Sequence, residues 1–277
     1  MNMIVVTGAT GNVGRPLVQA LVAAGEHVTA VSRTVTASEV PAGVRWQQVD
    51  LARPENLASA FDGADTLFLL TSGDFVAAGG NVADVMDIVQ GAGIRRVVLL
   101  SSQGVSTGSH PSAVEDAVKE SGVEWTMLRP GGFASNALQW AEMVRTQRTV
   151  SAPFGDVALP VIDPADIAAV AAVTLLDRSH NGRTYDLTGP APISPRQQAA
   201  DIGAALGEPV RFVELSRAQA KAQMVRFMPE PIVEATLDIL GSPKPAEQQV
   251  SPDTERLLGR IPRTFAEWAA RNTAAFK

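Results

Sequence analysis

Residues 3–14 read Met3-Ile4-Val5-Val6-Thr7-Gly8-Ala9-Thr10-Gly11-Asn12-Val13-Gly14. A short apolar run stops at a glycine, glycine recurs at every third place, and a helical pattern then opens at Val13. That spacing has physical meaning when a strand feeds the turn and a helix leaves it. Gly8 permits a tight exit from the strand, Gly11 lets backbone approach an anion with no Cβ between them, and Gly14 lets the helix lie close to the sheet. First-turn amides of a helix lack intrahelical partners and sit at the positive end of the macrodipole, so this turn is suited to a diphosphate. Thr10, Asn12 and Val13 complete the set of residues expected around it.

Outward from the turn, short β-branched runs alternate with helical patterns. Strands are predicted at Met3 to Val6, Val28 to Ser32, Val44 to Asp50, Thr66 to Leu70, Val97 to Ser101 and Trp125 to Arg129. Helices are predicted at Val13 to Ala24, Val82 to Ala92 and Ser112 to Glu120, stopped by Gly25, Gly93 and Gly122. Right-handed crossovers then put helices on both faces. The fold expected is α/β: a Rossmann-type doubly wound parallel sheet over residues 1–150, with a smaller C-terminal α/β substrate region over 151–277. In that second region we expect a helix at Pro164 to Leu176, a strand at Thr184 to Leu187 and a helix at Ser194 to Leu206, with a soft boundary because later elements can return to the first sheet. Met224, Phe227 and Met228 read either as an adaptable apolar cover or as ordinary core, and Trp268 and Phe276 pack the last helical pattern.

The chain has 277 residues, 45% of them hydrophobic, enough to build a sizeable core. Its 23 basic and 29 acidic side chains leave a net charge of −6 with no basic run, which disfavours nucleic acid as a partner. Cysteine is absent and the three histidines are scattered, so no metal site is expected. No segment approaches the roughly 20 apolar residues of a membrane span, and the first residues lack the pattern of a signal peptide. A cytoplasmic protein with a small-molecule partner, no membrane and no nucleic acid is the expectation; no surface stripe nominates an oligomer interface.

Cofactor choice turns on the end of the second strand, Ser32-Arg33-Thr34. NAD enzymes commonly place a carboxylate there to bind the ribose hydroxyls. No acid lies between His27 and Ser38, so a 2'-phosphate would meet no like charge and could pair with Arg33. NADP(H) is the expected cofactor.

Several segments together resemble the NmrA-like family of atypical short-chain dehydrogenases/reductases. They are the Gly8–Gly14 turn, Val49-Asp50-Leu51, Leu100-Ser101-Ser102, Trp125 through Phe133, and Pro262-Arg263-Thr264-Phe265. The resemblance implies a Rossmann core that binds NADP(H), in a family holding quinone reductases, isoflavone-reductase-like enzymes and regulators that bind cofactor without turnover. It also implies Asp50 and Leu51 beside the adenine, Leu70, Thr71 and Ser72 along the adenosine and ribose, and Pro130 to Phe133 near the nicotinamide. Ser101 is counted in the same cofactor set.

Catalysis is less explicit. Short-chain dehydrogenases usually use a Tyr-x-x-x-Lys pair, in which lysine lowers the tyrosine pKa. The single tyrosine here, Tyr185, lies in the C-terminal region with no lysine four places on. Glu115 and Lys119 have the pair's spacing on the corresponding helix. Either they supply a proton donor and a cofactor contact, or they form an ordinary exposed i, i+4 ion pair. His110 is a further candidate proton donor or a solvated loop residue. A quinone that takes hydride yields a resonance-stabilised phenolate and needs less from the protein than a ketone does. The expected pocket is Ser102, Gln103, Phe133, Asn136 and Trp140, with Gln103 and Asn136 donating hydrogen bonds and the aromatic rings forming walls. Two functions follow: an NADPH-dependent oxidoreductase transferring hydride to a quinone or similarly activated carbonyl or alkene, or a non-catalytic NADP(H) sensor.

Overall fold

The computed structural model describes residues 3–53, 56–71, 75 and 78–277. Seven strands form one sheet in the order β3-β2-β1-β4-β5-β6-β8. They are β1 Met3–Thr7, β2 His27–Ser32, β3 Arg45–Gln48, β4 Thr66–Leu70, β5 Arg96–Leu100, β6 Glu124–Pro130 and β8 Arg183–Leu187. The pairings from β3 across to β6 are parallel. Strand order reverses between β1 and β4, the topological switch point of doubly wound folds, outside whose carboxyl edge ligands bind.

The register explains why the central runs are apolar throughout. Val5 pairs with Leu67, Leu67 with Val97, and Val97 with Trp125. Val5, Leu67 and Val97 join one core cluster, with Leu69, Leu99 and Met127 in the next row, against which residues of the 58–61, 82–91 and 113–120 helices pack. The intervening residues Ile4, Val6, Phe68 and Val98 are buried too, as a sheet covered on both faces requires. The Gly14–Ala23 and Pro164–Leu176 helices pack together. Edge strand β3 is shorter than Val44 to Asp50 and mostly exposed; the buried apolar residue of that run, Val49, follows the strand. The predicted stops are met: Gly25, Gly93 and Gly122 all take positive φ.

By contacts the chain divides into two compact units, and the division differs from a cut at residue 150. Residues up to Val105, Pro111–Pro130 and Pro164–Asp186 form the first; Ser106–His110, Gly131–Asp163 and Leu187–Lys277 form the second. The physical reason is that β8 adds to the sheet beside β6, where Gly182 N donates to Trp125 O at 2.7 Å. In the second unit β7 Thr149–Pro153 and β9 Arg211–Leu215 pair in parallel. Its Pro195–Leu206 and Phe265–Arg271 helices close over Phe265, Trp268 and Phe276, all buried. Phe265 and Trp268 rings are 5.2 Å apart, which gives Trp268 and Phe276 the packing role anticipated for them. Phe227 is 85% exposed, whereas Met224 and Met228 pack against Val233 and Leu237. Among the described residues no helix is long and apolar enough to cross a membrane.

Candidate functional site

The turn after β1 has the conformation its sequence demands. Gly8 takes φ +63°, and Gly11 N donates to Gly8 O at 2.9 Å. A Cβ on Gly14 would stand 2.1 Å from Gly8 O and 2.8 Å from Ala9 Cα, so helix and turn touch backbone to backbone. Thr7 ties this turn to the neighbouring strand: its Oγ1 donates to Phe68 O at 3.0 Å and accepts from Leu70 N at 2.8 Å.

The helix that follows opens without a side-chain cap, although of its first amides Arg15 N already donates to Gly11 O at 3.0 Å and Pro16 has no N–H. Val13 at its N-cap makes no side-chain capping hydrogen bond, and no acid stands in the first turn. Helices 195–206 and 217–224, by contrast, open with Ser194 and Ser216 capping boxes that occupy their first amides. A glycine cradle that any Cβ would fill, at an uncapped helix end beside the β1/β4 switch point, fits a dinucleotide diphosphate.

The other cofactor residues expected in this unit stand at the carboxyl ends of the same parallel strands. Arg33 follows β2 and is exposed. Thr10 Oγ1 donates to Ser32 Oγ at 3.1 Å, and Ser32 Oγ accepts from Thr34 N at 3.2 Å, so the glycine turn and the post-β2 loop are fastened together. Asp50, after β3, accepts from Ala52 N at 3.0 Å and shapes the turn that carries half-buried Leu51. Leu70 ends β4 and lies against Gly8, where a Cβ would meet its Cδ2 at 3.2 Å. Thr71 follows it half-buried; Ser72 lies outside the described residues. Ser101 follows β5, and buried Pro130 ends β6.

One acid escaped the sequence window. Glu39, just beyond Ser38, turns back toward the glycine turn, and its Oε1 stands 3.5 Å from Arg15 Nη2. A window counted in residues misses a carboxylate that the short Ala37–Glu39 helix folds back.

Glu115 makes the anticipated i, i+4 pair with Lys119, but as a buried group and not an exposed one. It is 1% exposed, not at the surface, and four hydrogen bonds fill its carboxylate. Ser101 Oγ and Arg129 Nε donate to Oε1 at 2.6 and 2.8 Å; Arg129 Nη2 and Lys119 Nζ donate to Oε2 at 2.7 and 3.2 Å. Burial alone would push its pKa up. The hydrogen bonds from Arg129 and Ser101, the Arg129 charge and Lys119 together outweigh burial and hold it at about 2, against an ordinary 4.5. A carboxyl so acidic is an anion near neutrality and has no proton to give. It fixes strand ends: Ser101 N donates to Leu128 O at 2.7 Å, so the β5 and β6 termini meet at this ion pair. Lys119 Nζ also lies 5.6 Å from the Trp125 ring centroid. The sequence motif contained Arg129 without marking its role. The β5–β6 register, with Leu100 opposite Leu128, is what brings Arg129 beside Ser101.

Ser102 and Gln103 begin the Gln103–Thr107 helix, with Ser102 Oγ accepting from Gly104 N at 3.1 Å; Gln103 is buried. Phe133, Asn136 and Trp140 belong to the second unit. Phe133 bridges Ile162, Asn136 is exposed, and Trp140 packs half-buried against the aromatic core. His110 is an exposed loop residue of that unit. Tyr185 is engaged elsewhere: its buried hydroxyl lies 2.7 Å from His180 Nδ1.

Comparison with known proteins agrees with this geometry. A family profile described as NAD(P)H-binding matches residues 8–178. A (4-alkanoyl-5-oxo-2,5-dihydrofuran-3-yl)methyl phosphate reductase of Streptomyces griseus is 35% identical over 282 residues, 99% of each chain. An NAD(P)H azoreductase of Xenophilus azovorans is 34% identical over 286 residues, again 99% of both. The Escherichia coli NADPH-dependent quinone oxidoreductase in complex with NADPH aligns with a TM-score of 0.81 at 25% identity, over 98% of this chain and 99% of that one. With the Gly8–Gly14 cradle and the seven-stranded sheet, these matches show that the chain belongs to the NAD(P)H-binding family and is an NAD(P)H-dependent oxidoreductase.

Proposed function

We propose that the protein uses NADPH to reduce a quinone or a similarly conjugated carbonyl or alkene. The observation that carries this reading is the state of Glu115. The place where a short-chain dehydrogenase keeps its tyrosine acid holds an anion whose oxygens are already filled by Ser101, Arg129 and Lys119. A ketone reduced there would need a proton at once, whereas a conjugated acceptor spreads the incoming charge and can take its proton from water. Bound NADPH would supply the hydride. The chain's residues supply position: the cradle holds the diphosphate, and the Glu115 network keeps the β5 and β6 ends fixed. The names of the relatives point the same way, since an acyl dihydrofuranone, an azo compound and a quinone are all conjugated acceptors. Ser102, Gln103, Phe133, Asn136 and Trp140 remain the residues we assign to acceptor binding, and Asp50, Leu51, Thr71, Ser101, Pro130 and Phe133 to the cofactor.

The test is to mix purified protein with NADPH and a panel of quinones, enones, azo dyes and simple ketones while following nicotinamide absorbance. Turnover of the conjugated acceptors with simple ketones inert is the expected result. Turnover of simple ketones at comparable rates would overturn the argument from Glu115. Tight binding with no acceptor across the panel would favour a cofactor sensor instead.

Arg33 is assigned to the 2'-phosphate. Arg33→Ala is expected to raise the Kd for NADPH about 10- to 100-fold, the worth of a charge-assisted contact, and to leave NADH within about twofold. Equal losses for both nucleotides, measured by calorimetry, would mean that Arg33 does not read the phosphate.

A further inference from the structure

We propose that Arg15 is a second reader of the cofactor's 2'-phosphate and that Glu39 is a built-in rival for it, so that the Arg15–Glu39 pair sets how strongly NADPH is preferred over NADH. The proposal deepens the assignment of the 2'-phosphate to Arg33 and rests on it.

Arg15 is the first residue after Gly14, on the helix turn that faces the diphosphate, and its side chain is 50% exposed. Its guanidinium reaches across to the loop that follows β2, where Nη2 lies 3.5 Å from Glu39 Oε1. That loop also carries Arg33, and the Thr10–Ser32–Thr34 hydrogen bonds fasten its start to the glycine turn. The adenosine ribose of a dinucleotide lies at the end of the second strand, so the loop that Arg15 reaches is the one beside which a 2'-phosphate would sit.

The pair it now makes is easily exchanged. An exposed ion pair of this length contributes little. A phosphate monoester carries close to two negative charges near neutral pH, and a guanidinium binds it through two parallel hydrogen bonds. Glu39, in contrast, is tethered through its other oxygen. Its Oε2 accepts from Thr36 N and from Thr36 Oγ1, both at 3.0 Å, in the capping box of the Ala37–Glu39 turn. Its charge therefore stays on this loop whichever nucleotide arrives. It opposes a phosphate and competes for Arg15, but is indifferent to a ribose hydroxyl or welcomes it as a donor.

Affinity for NADPH and NADH, measured by calorimetry on the intact chain for wild type, Arg15→Ala, Arg15→Lys and Glu39→Gln, tests this without any turnover. Arg15→Ala should raise the NADPH Kd about 10-fold and leave NADH within about twofold, with Arg15→Lys intermediate because charge is kept and the fork is lost. Glu39→Gln keeps the capping-box acceptor, so its melting curve should match wild type, while its NADPH Kd falls about threefold and NADH does not improve. If Arg15→Ala weakens both nucleotides alike or neither, or if Glu39→Gln leaves their ratio unchanged, the proposal is wrong. The Arg33→Ala variant separates the two levels. A ratio moved by Arg33→Ala but not by Arg15→Ala overturns only this inference, whereas a ratio unmoved by Arg33→Ala removes the 2'-phosphate reading beneath it.

Discussion

Replacing Gly14 with alanine should weaken nicotinamide nucleotide binding about 100-fold and lower the melting temperature as well. The added Cβ would stand 2.1 Å from Gly8 O, 2.7 Å from Gly8 C and 2.8 Å from Ala9 Cα. All three are backbone atoms, so no side-chain rotation relieves the clash. Either the helix withdraws from the sheet or the Gly8 peptide turns over, and each displaces the amides we assign to the diphosphate. Overpacking of this kind typically costs about 1–3 kcal/mol. Gly11→Ala is the matched control, because its Cβ would meet Gly8 O at 3.2 Å, a contact that a shift of a few tenths of an ångström relieves. Its loss should appear in affinity and hardly at all in melting. Gly14→Ala protein that bound NADPH and melted like wild type would show that helix and turn are not in contact as described.

Glu115→Ala should destabilise the fold by about 3–5 kcal/mol, because it strands the Arg129 guanidinium beside a buried hole. The same carboxylate gives stability a defined dependence on acid. Its folded pKa of about 2 lies below the ordinary 4.5, so its contribution is complete above about pH 4.5 and fades as pH falls toward 2. At 1.36 kcal/mol per unit, the loss is about 3 kcal/mol. Urea unfolding of wild type at several pH values should show this decline, and Glu115→Gln should show a shallower one. The pH profile of kcat between 5 and 8 should carry no step from Glu115. A step in that range that vanishes in Glu115→Gln would restore it as a proton donor.

The glycine turn was legible because its demands are local: φ at Gly8 and the contact at Gly14 follow from three positions in seven residues. The central strands were legible because a sheet covered on both faces must be apolar in every row, as Val5, Leu67 and Val97 are. What the sequence hid depends on register and on chain reversal. Glu115 looks like a surface helix residue until β5 and β6 align Ser101 with Arg129 beneath it. Glu39 falls outside a count of residues after the glycines, yet a single turn of helix folds it back against Arg15. Strands β7 and β9 went unread because Thr149–Pro153 and Arg211–Leu215 pair only with each other, some 60 positions apart, with no alternation strong enough to announce a strand.

The late return of β8 to the first sheet also limits how the gene could be divided. A fragment ended near residue 150 would lack Arg183–Leu187, and β6 would become a raw border of unpaired amides and carbonyls inviting strand-to-strand aggregation. The nucleotide-binding unit is thus completed by sequence translated after the second unit has begun, and transplanting it into another protein would require carrying residues 164–186 along.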